Sequence, residues 1–353
     1  MEHELFNPIS FNKEVQIDSG FAELIKEINE SDIQLPHNPV ILVGEQILDS
    51  ISLTYELERM DDQQTIDGSI ELRIEKGYDI AQNEATLIAA YDESIAYYST
   101  LEGKLAYISH SLIFMRDGAY YPLNKLSVLF CTSSSIVHKK INGSILATKW
   151  DVDTTINVEI AKQKGRFITE NSYKNTILLI DGPLIAGDGL AYFQGSVNEL
   201  VENNIIPIFI VKNSMSDVII KSNPKLKEQY NSDLHFINET LSEGYRTVFY
   251  KYTNTDSPDK TKVFCYIKHK NHHSPIRVEM PTMAFIKNRD SINPIMDLIF
   301  YLIKVQGNLT NPQVRPIAVA EMYARETIKL INFKKDSIQY KLTPTMNEER
   351  GMF

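Results

Sequence analysis

Two short and almost entirely apolar runs constrain the fold of this chain more than any other feature. TILLID spans residues 176–181 and IIPIFIVK spans 205–212, and the helix-like stretch SVNELVENN, 196–204, lies between them. Strands that are buried on both faces are apolar throughout, and parallel strands need a long crossover connection, usually a helix. The order therefore predicts a βαβ unit with a covered parallel pair.

The flanking segments extend this unit into a mixed α/β pattern. Residues 1–60 carry an apolar stripe at helical spacing in FAELIKEINE, 21–30, and predict an N-terminal helical extension. IDGSIELRIEKGYD and the Ile- and Tyr-rich segments after it predict successive antiparallel strands. Further expected elements are a helix over 144–170, a hairpin over 261–285, helices over 292–307 and 315–331, and a strand and tail after 331. We expect one α/β domain, 61–335, followed by a C-terminal tail, 336–353.

Composition narrows the class of protein. The chain has 353 residues and a formal net charge of −10, which argues against a nonspecific nucleic-acid coat protein. No run of eighteen uncharged apolar residues predicts a membrane span, and MEHELFNPIS does not resemble a secretory signal. Cys131 and Cys265 match no metal-finger spacing and are expected to be buried free thiols, which indicates a cytoplasmic location.

The first apolar run ends in a carboxylate, Asp181, which Gly182 and Pro183 follow. One interpretation is a simple turn, because all three residue types favour turns. The other is a ligand site, because α/β proteins bind ligands where their parallel strands end. Asp67, in TIDGSIE, and Glu159, on the predicted helix, are further candidates. If they converge with Asp181, their oxygens would suit Mg²⁺ or Mn²⁺.

An ordered set of motifs resembles the NurA nuclease family. The set comprises IDGS at 66–69, a helix carrying Glu159, LLIDGPL at 178–184, PIFIVKNS at 207–214 and RPIAVAEMYARE at 315–326. The resemblance implies a ribonuclease H-like mixed sheet flanked by helices. It also implies a manganese-dependent (or magnesium-dependent) DNA nuclease that resects ends 5′ to 3′ and cuts single strands. Such proteins act as homodimers with a HerA-type hexameric ATPase, in DNA repair or antiviral defence.

The resemblance also assigns roles to individual residues. Asp67 and Asp181 match the family's two aspartates, and Glu159 is the best match for the intervening glutamate, with Glu170 as its competitor. Glu321 stands where the family often has a histidine and is expected to be the fourth metal ligand. Lys212 matches a lysine after the second strand and is a candidate phosphate contact, with a solvated strand end as the alternative.

Other basic residues are candidate DNA contacts. KHKNHH, 268–273, predicts a hairpin turn in which Lys268 and Lys270, with Arg277, form a basic patch; Arg315, before Pro316, is a second phosphate-contact candidate. No Gly-x-x-x-x-Gly-Lys-Ser/Thr motif occurs, so any ATP-driven motor must be a partner. The altered histidine position and the negative charge motivate an alternative function, a catalytically weak adaptor that docks on the HerA-type ATPase.

Overall fold

A computed structural model of the chain describes residues 55–60, 68–83, 85–116, 118–135, 137, 145–147, 151–185, 190–257, 260–307 and 313–351. All of these residues belong to one compact unit, 41–353. The expected extension over 1–60 therefore lies almost wholly outside the described residues.

Twelve strands in the described part of the chain form one mixed sheet. They are β1 (Tyr55–Arg59), β2 (Ser69–Glu71), β3 (Leu87–Ser99), β4 (Lys104–Arg116), β5 (Ala119–Thr132), β6 (Ile145–Ala147), β7 (Thr176–Asp181), β8 (Ile206–Val211), β9 (Tyr245–Thr247), β10 (Tyr250–Asn254), β11 (Thr261–Lys268) and β12 (Ile276–Met280). The spatial order is β1-β10-β11-β12-β8-β7-β3-β4-β5-β6, and β9 joins β2 to β11.

Helices cover both faces of the sheet. Those of the described part are α1 (Ile74–Ala81), α2 (Val152–Asn171), α3 (Leu190–Glu202), α4 (Val218–Lys221), α5 (Pro224–Gln229), α6 (Asp233–Thr240), α7 (Thr282–Lys287), α8 (Arg289–Lys304), α9 (Arg315–Ile328), α10 (Phe333–Tyr340) and α11 (Met346–Gly351). The predicted mixed sheet flanked by helices is confirmed.

The predicted βαβ unit forms as expected. β7 and β8 are parallel neighbours, with Ile177 opposite Ile206 and Asp181 opposite Ile210, and α3 connects them. β3 lies parallel to β7 on its other side, so β7 is buried between two parallel neighbours. This position explains why TILLID is apolar on both faces.

Side-chain alternation along these central strands divides the core into two layers. Ile177 and Leu179 of β7 pack against α8 and α9, whereas Leu178 and Ile180 pack against α2 and α3. Because successive side chains of a strand point to opposite faces, the same alternation decides which helices each polar residue at the strand ends can meet.

Four local predictions were wrong. The helix expected over 144–170 begins only at Val152, and Ile145–Ala147 forms β6 instead. Residues 55–59, in a segment expected to be helical, form β1, because pairing with β10 outweighs the weak helix preference of Leu and Glu. IELRIEKGYD contributes only part of the three-residue β2 and then the helix α1, whose Gly77 packs closely on α8. The stretch after 331 forms α10 and α11 rather than a strand, since Phe333 docks on Tyr98 and Tyr107.

Candidate active site

Asp181 ends β7 on the α8/α9 face of the sheet, where it meets a lysine. It follows Ile177 and Leu179 in the alternation, and its side chain is 22 % exposed. Gly182 has φ +91°, a left-handed conformation that favours glycine, and its amide donates to the Ile210 carbonyl at 3.0 Å. The predicted turn therefore forms at Gly182, directly after the sheet fixes Asp181, and the ligand interpretation stays a prediction.

A second carboxylate, Asp92 on β3, lies beside Asp181. The parallel register pairs Tyr91 with Ile180, so the next residues along the two strands are Asp92 and Asp181. Ile88 and Ala90 pack into the α8/α9 layer, which places Asp92 on the same face. Burial raises the pKa of Asp92 from 3.8 to about 7, and the negative charges of Asp181 and Glu93 add to this effect. Sequence reasoning missed Asp92, which lies inside a long strand.

Lys212 joins this carboxylate pair to α9. Its ammonium lies 3.0 Å from Asp181 Oδ2 and 3.6 Å from Glu321 Oε2. Glu321 also forms an ion pair with Arg325, one helical turn further on, at 2.5 Å. The structure thus brings together three of the predicted residues, Asp181, Lys212 and Glu321, and adds Asp92 to them.

Glu159 is not part of this group. It lies on α2, whose Ile156 and Ile160 pack against β4 and β5 on the opposite face of the sheet. Its carboxylate lies 3.6 Å from the ammonium of Lys162. The competitor Glu170 is exposed near the C-terminal end of α2. The chain continues from there into the start of β7, whereas Asp181 lies at the opposite end of that strand.

Asp67 lies outside the described residues, and its assignment stays a prediction. The residue after it, Gly68, accepts a hydrogen bond from the amide of Val248, and Ser69 pairs with Thr247 of β9. In the order of the sheet, β2 lies five strand positions from β7. At about 4.8 Å per position, that separation is on the order of 24 Å.

The basic patch predicted around KHKNHH does not form as expected. Lys268 is only 7 % exposed, and its ammonium donates to the backbone carbonyl of Asn238. Arg277 is buried in an ion pair with Glu279. Lys270 is exposed. The predicted turn is therefore correct, but the three basic side chains do not form a common exposed surface.

Arg315 is the exposed first residue of α9 and contacts Tyr120 by a side-chain hydrogen bond. Six residues separate it from Glu321, which corresponds to about 9 Å along the helix axis. Its proposed role as a phosphate contact therefore stays a prediction, at the margin of the site.

Two carboxylates of the site have the chemistry to bind a divalent metal ion. Within the described ranges, no group of three or more His, Cys, Asp or Glu side chains is placed closely enough to hold an ion. The pair Asp92–Asp181 does offer hard oxygen ligands, and after burial the negative charge of Asp181 is the next cause of the raised pKa of Asp92. A divalent cation relieves such repulsion, so the oxygen ligands of the pair suit a hard divalent ion.

The sequence profile of the NurA domain matches residues 145–325, just over half of the chain. A search of curated proteins finds no match. No helix in the described part of the chain is long and apolar enough to cross a membrane.

The chain has low similarity to several solved structures. The NurA nuclease from Sulfolobus solfataricus is 12 % identical, with 72 % of this chain and 84 % of that chain covered and a TM-score of 0.46. Another NurA structure is 10 % identical over 75 % and 89 %, with a TM-score of 0.42. Endonuclease V from Ciona intestinalis, solved with DNA, is 14 % identical over 73 % and 95 %, with a TM-score of 0.39.

Proposed function

Because the chain belongs to the NurA family, we propose that it is a metal-dependent deoxyribonuclease that hydrolyses phosphodiester bonds at the Asp92–Asp181 pair. The observation that carries the proposal is the placement of these two carboxylates on neighbouring parallel strands, on one face and beside a lysine. Asp181 ends β7, and Asp92 lies in β3 directly after the pairing with β7 ends, so the sheet holds both carboxylates at the edge where α/β proteins bind ligands.

In this proposal the carboxylates bind the metal ion and the lysine binds the phosphate. Asp92 and Asp181 would hold the ion, Mn²⁺ or Mg²⁺, with Glu321 as a third ligand from α9. When bound, the ion supplies an activated water and neutralises charge on the phosphate. Lys212, once released from Asp181 and Glu321, donates to a phosphate oxygen and so orients the strand to be cut.

We further propose that the chain acts as a homodimer with a HerA-type hexameric ATPase, in DNA end resection or antiphage defence. The family membership supports this partnership, as does the absence of a phosphate-binding glycine-rich motif from the sequence. A cytoplasmic location and both exonuclease and single-strand endonuclease activity belong to the same proposal.

Cleavage of linear DNA by the purified chain tests the activity. The assay contains Mn²⁺ or Mg²⁺, with and without the ATPase, and compares Asp92→Asn, Asp181→Asn and Asp67→Asn with the wild type. Glu326→Gln, an exposed carboxylate on the same helix as Glu321, is the matched control. We expect cleavage by the wild type and the control and none by Asp92→Asn or Asp181→Asn. Loss of cleavage in Asp67→Asn alone would move the metal site to IDGS.

One observation favours a second candidate, the adaptor. Glu321, at the position of the family's histidine, is engaged by both Lys212 and Arg325. If these ion pairs persist, α9 contributes no metal ligand and the chain would serve mainly to dock on the ATPase. The adaptor predicts that the wild-type chain binds the ATPase and alters its ATP hydrolysis but does not cut DNA under any of these conditions.

A further inference from the structure

The polar side chains of the proposed site continue onto β4, the strand on the other side of β3 from β7. In the antiparallel register, Ser111 of β4 lies directly opposite Asp92 of β3. The next residue of β4 on the same face, Ser109, lies opposite Ser94. Side chains directly opposite each other have Cβ atoms about 4.5–5.5 Å apart, whereas diagonal neighbours are about 7–8 Å apart. The register therefore places Ser111 beside Asp92 and Ser109 one step further away.

Ser111 lies on the same face of the sheet as the carboxylate pair. Ile113, two residues further along β4, packs in the layer of α8 and α9. Successive side chains of a strand point to opposite faces, so Ser111 and Ser109 belong to this layer as well. His110, between them, points to the other face, where its ring stacks on Phe167 of α2. The Ser111 hydroxyl is thus directed to the side of the sheet on which the site lies.

Both hydroxyls of this row are buried without a protein partner. Ser109 and Ser111 are each 0 % exposed, and α9 packs across β3 and β4 on this face. Neither Oγ atom has a hydrogen-bond partner among the residues that the structure describes. A buried hydroxyl without a hydrogen bond is unfavourable, and such groups usually bind a water molecule or an ion. Ser111 therefore has hydrogen-bonding capacity available right beside Asp92.

A divalent ion at the carboxylate pair needs partners of this kind for its water. Mg²⁺ in proteins is typically bound by one or two carboxylates and retains several water molecules in an octahedral arrangement. Even with Glu321 as a third ligand, an octahedral ion held by Asp92 and Asp181 keeps water in its remaining positions. Groups that hydrogen-bond the surroundings of a metal ion orient its ligands and strengthen its binding. A hydroxyl beside the carboxylates can accept a hydrogen bond from such a water molecule.

We propose that Ser111 is a further residue of the metal site and that its hydroxyl hydrogen-bonds a water molecule of the ion held by Asp92 and Asp181. The contact orients that water molecule and so strengthens the binding of the ion. It also gives the buried hydroxyl the partner that the described residues do not provide. The inference rests on the proposed function, because it adds a residue of β4 to the same site.

Titration with Mn²⁺, followed by electron paramagnetic resonance, tests Ser111 with Ser109 as the matched control. The two serines share strand, face, burial and the lack of a partner in the described part of the chain, but only Ser111 lies opposite Asp92. We expect Ser111→Ala to bind Mn²⁺ about tenfold more weakly than the wild type, as is typical when a partner of a metal ligand is lost. Ser109→Ala should stay within about twofold of the wild type, because its diagonal position is farther from the carboxylate.

Urea unfolding in EDTA separates metal binding from folding. Each alanine removes one buried hydroxyl, so the two variants should have similar free energies of unfolding without metal. Equal Mn²⁺ affinities of Ser111→Ala and Ser109→Ala would overturn the role of Ser111. The proposed metal site would still hold in that case if Asp92→Asn binds Mn²⁺ more weakly than the wild type. A wild-type chain that binds no Mn²⁺ would overturn both the role of Ser111 and the proposed function.

Discussion

Asp92 lies beside Asp181 in the fold, but no feature of the sequence around it predicts this position. It stands in LIAAYDES, where no glycine or proline follows it and the strand continues to Ser99. Asp181 could be singled out because its strand stops there and a turn begins. The role of Asp92 depends on the register between β3 and β7, which are far apart in sequence. Register of this kind arises from tertiary packing, so the pair could not be predicted from the chain alone.

The raised pKa of Asp92 predicts that its charge destabilises the metal-free fold. With a pKa of about 7 in the fold and an ordinary value of 3.8, the native state binds more protons between these two pH values. Stability therefore falls as pH rises through this window. In EDTA at pH 8, we expect Asp92→Asn to be more stable than the wild type by roughly 2–4 kcal/mol, although it cannot cut DNA. Urea unfolding at pH 8 and pH 4 measures this difference, which should vanish at pH 4.

His110 predicts the opposite pH dependence. It is fully buried on β4, where Tyr91 Oη lies 2.7 Å from its Nδ1 and Phe167 stacks on its ring. Burial lowers the pKa of His110 from 6.5 to about 4, against a smaller opposing effect of Glu93. Its contribution to stability is complete above pH 6.5 and is lost as pH falls from 6.5 to 4.

We expect the loss of stability between pH 7 and pH 4 to shrink by about 3 kcal/mol in His110→Gln. Glutamine keeps a polar partner for Tyr91 but does not titrate. Chemical denaturation at the two pH values measures the change, and His269, whose pKa is also lowered to about 4, is left intact in both proteins as an internal reference. An unchanged pH dependence would show that His110 is protonated or solvated in the fold.

At the scale of elements, long periodic segments could be predicted and short edge elements could not. TILLID and IIPIFIVK carry their own signal, because burial on both faces requires apolar residues throughout. β1 and β2 have five and three residues, and their strand character comes from β10 and β9. α10 likewise depends on the docking of Phe333 against Tyr98, whose rings stack at 4.1 Å. Partners distant in sequence decide such elements.

The close packing of α1 on α8 gives a prediction at this scale. A Cβ added at Gly77 would lie 2.2 Å from the backbone oxygen of Asp297 and 2.6 Å from Tyr301 Cβ. Gly77→Ala should therefore force the helices apart and destabilise the protein by about 1–3 kcal/mol. Urea unfolding measures the effect.

The matched control for this prediction is Gly195→Ala on α3. A Cβ there meets no atom within 4 Å, so alanine should stabilise the fold by up to about 1 kcal/mol through its higher helix propensity. Equal stabilities for the two variants would contradict the account of the α1–α8 contact.

At the scale of the whole molecule, net charge and site charge have different consequences. The formal charge of −10 disfavours a general affinity for DNA, so the proposed DNA binding depends on local positive charge. Lys212 and Arg325 supply positive charge at the site, and a bound divalent ion would supply more.

The family could be predicted from an ordered set of weak motifs, because their spacing follows the strand and helix order of the fold. The pairing of Asp92 with Asp181 could not be predicted from the sequence, because only the folded sheet brings these two residues together.

Direct binding of Mn²⁺, followed by electron paramagnetic resonance, tests the central claim that Asp92 and Asp181 hold a divalent ion. Asp92→Asn and Asp181→Asn are titrated beside the wild type and the Glu326→Gln control. The account predicts that the wild type and the control bind Mn²⁺ equally and that each aspartate variant binds at least about tenfold more weakly, because losing even an outer-shell partner of a metal ligand costs about that much affinity. Equal Mn²⁺ affinity in all four proteins would contradict it.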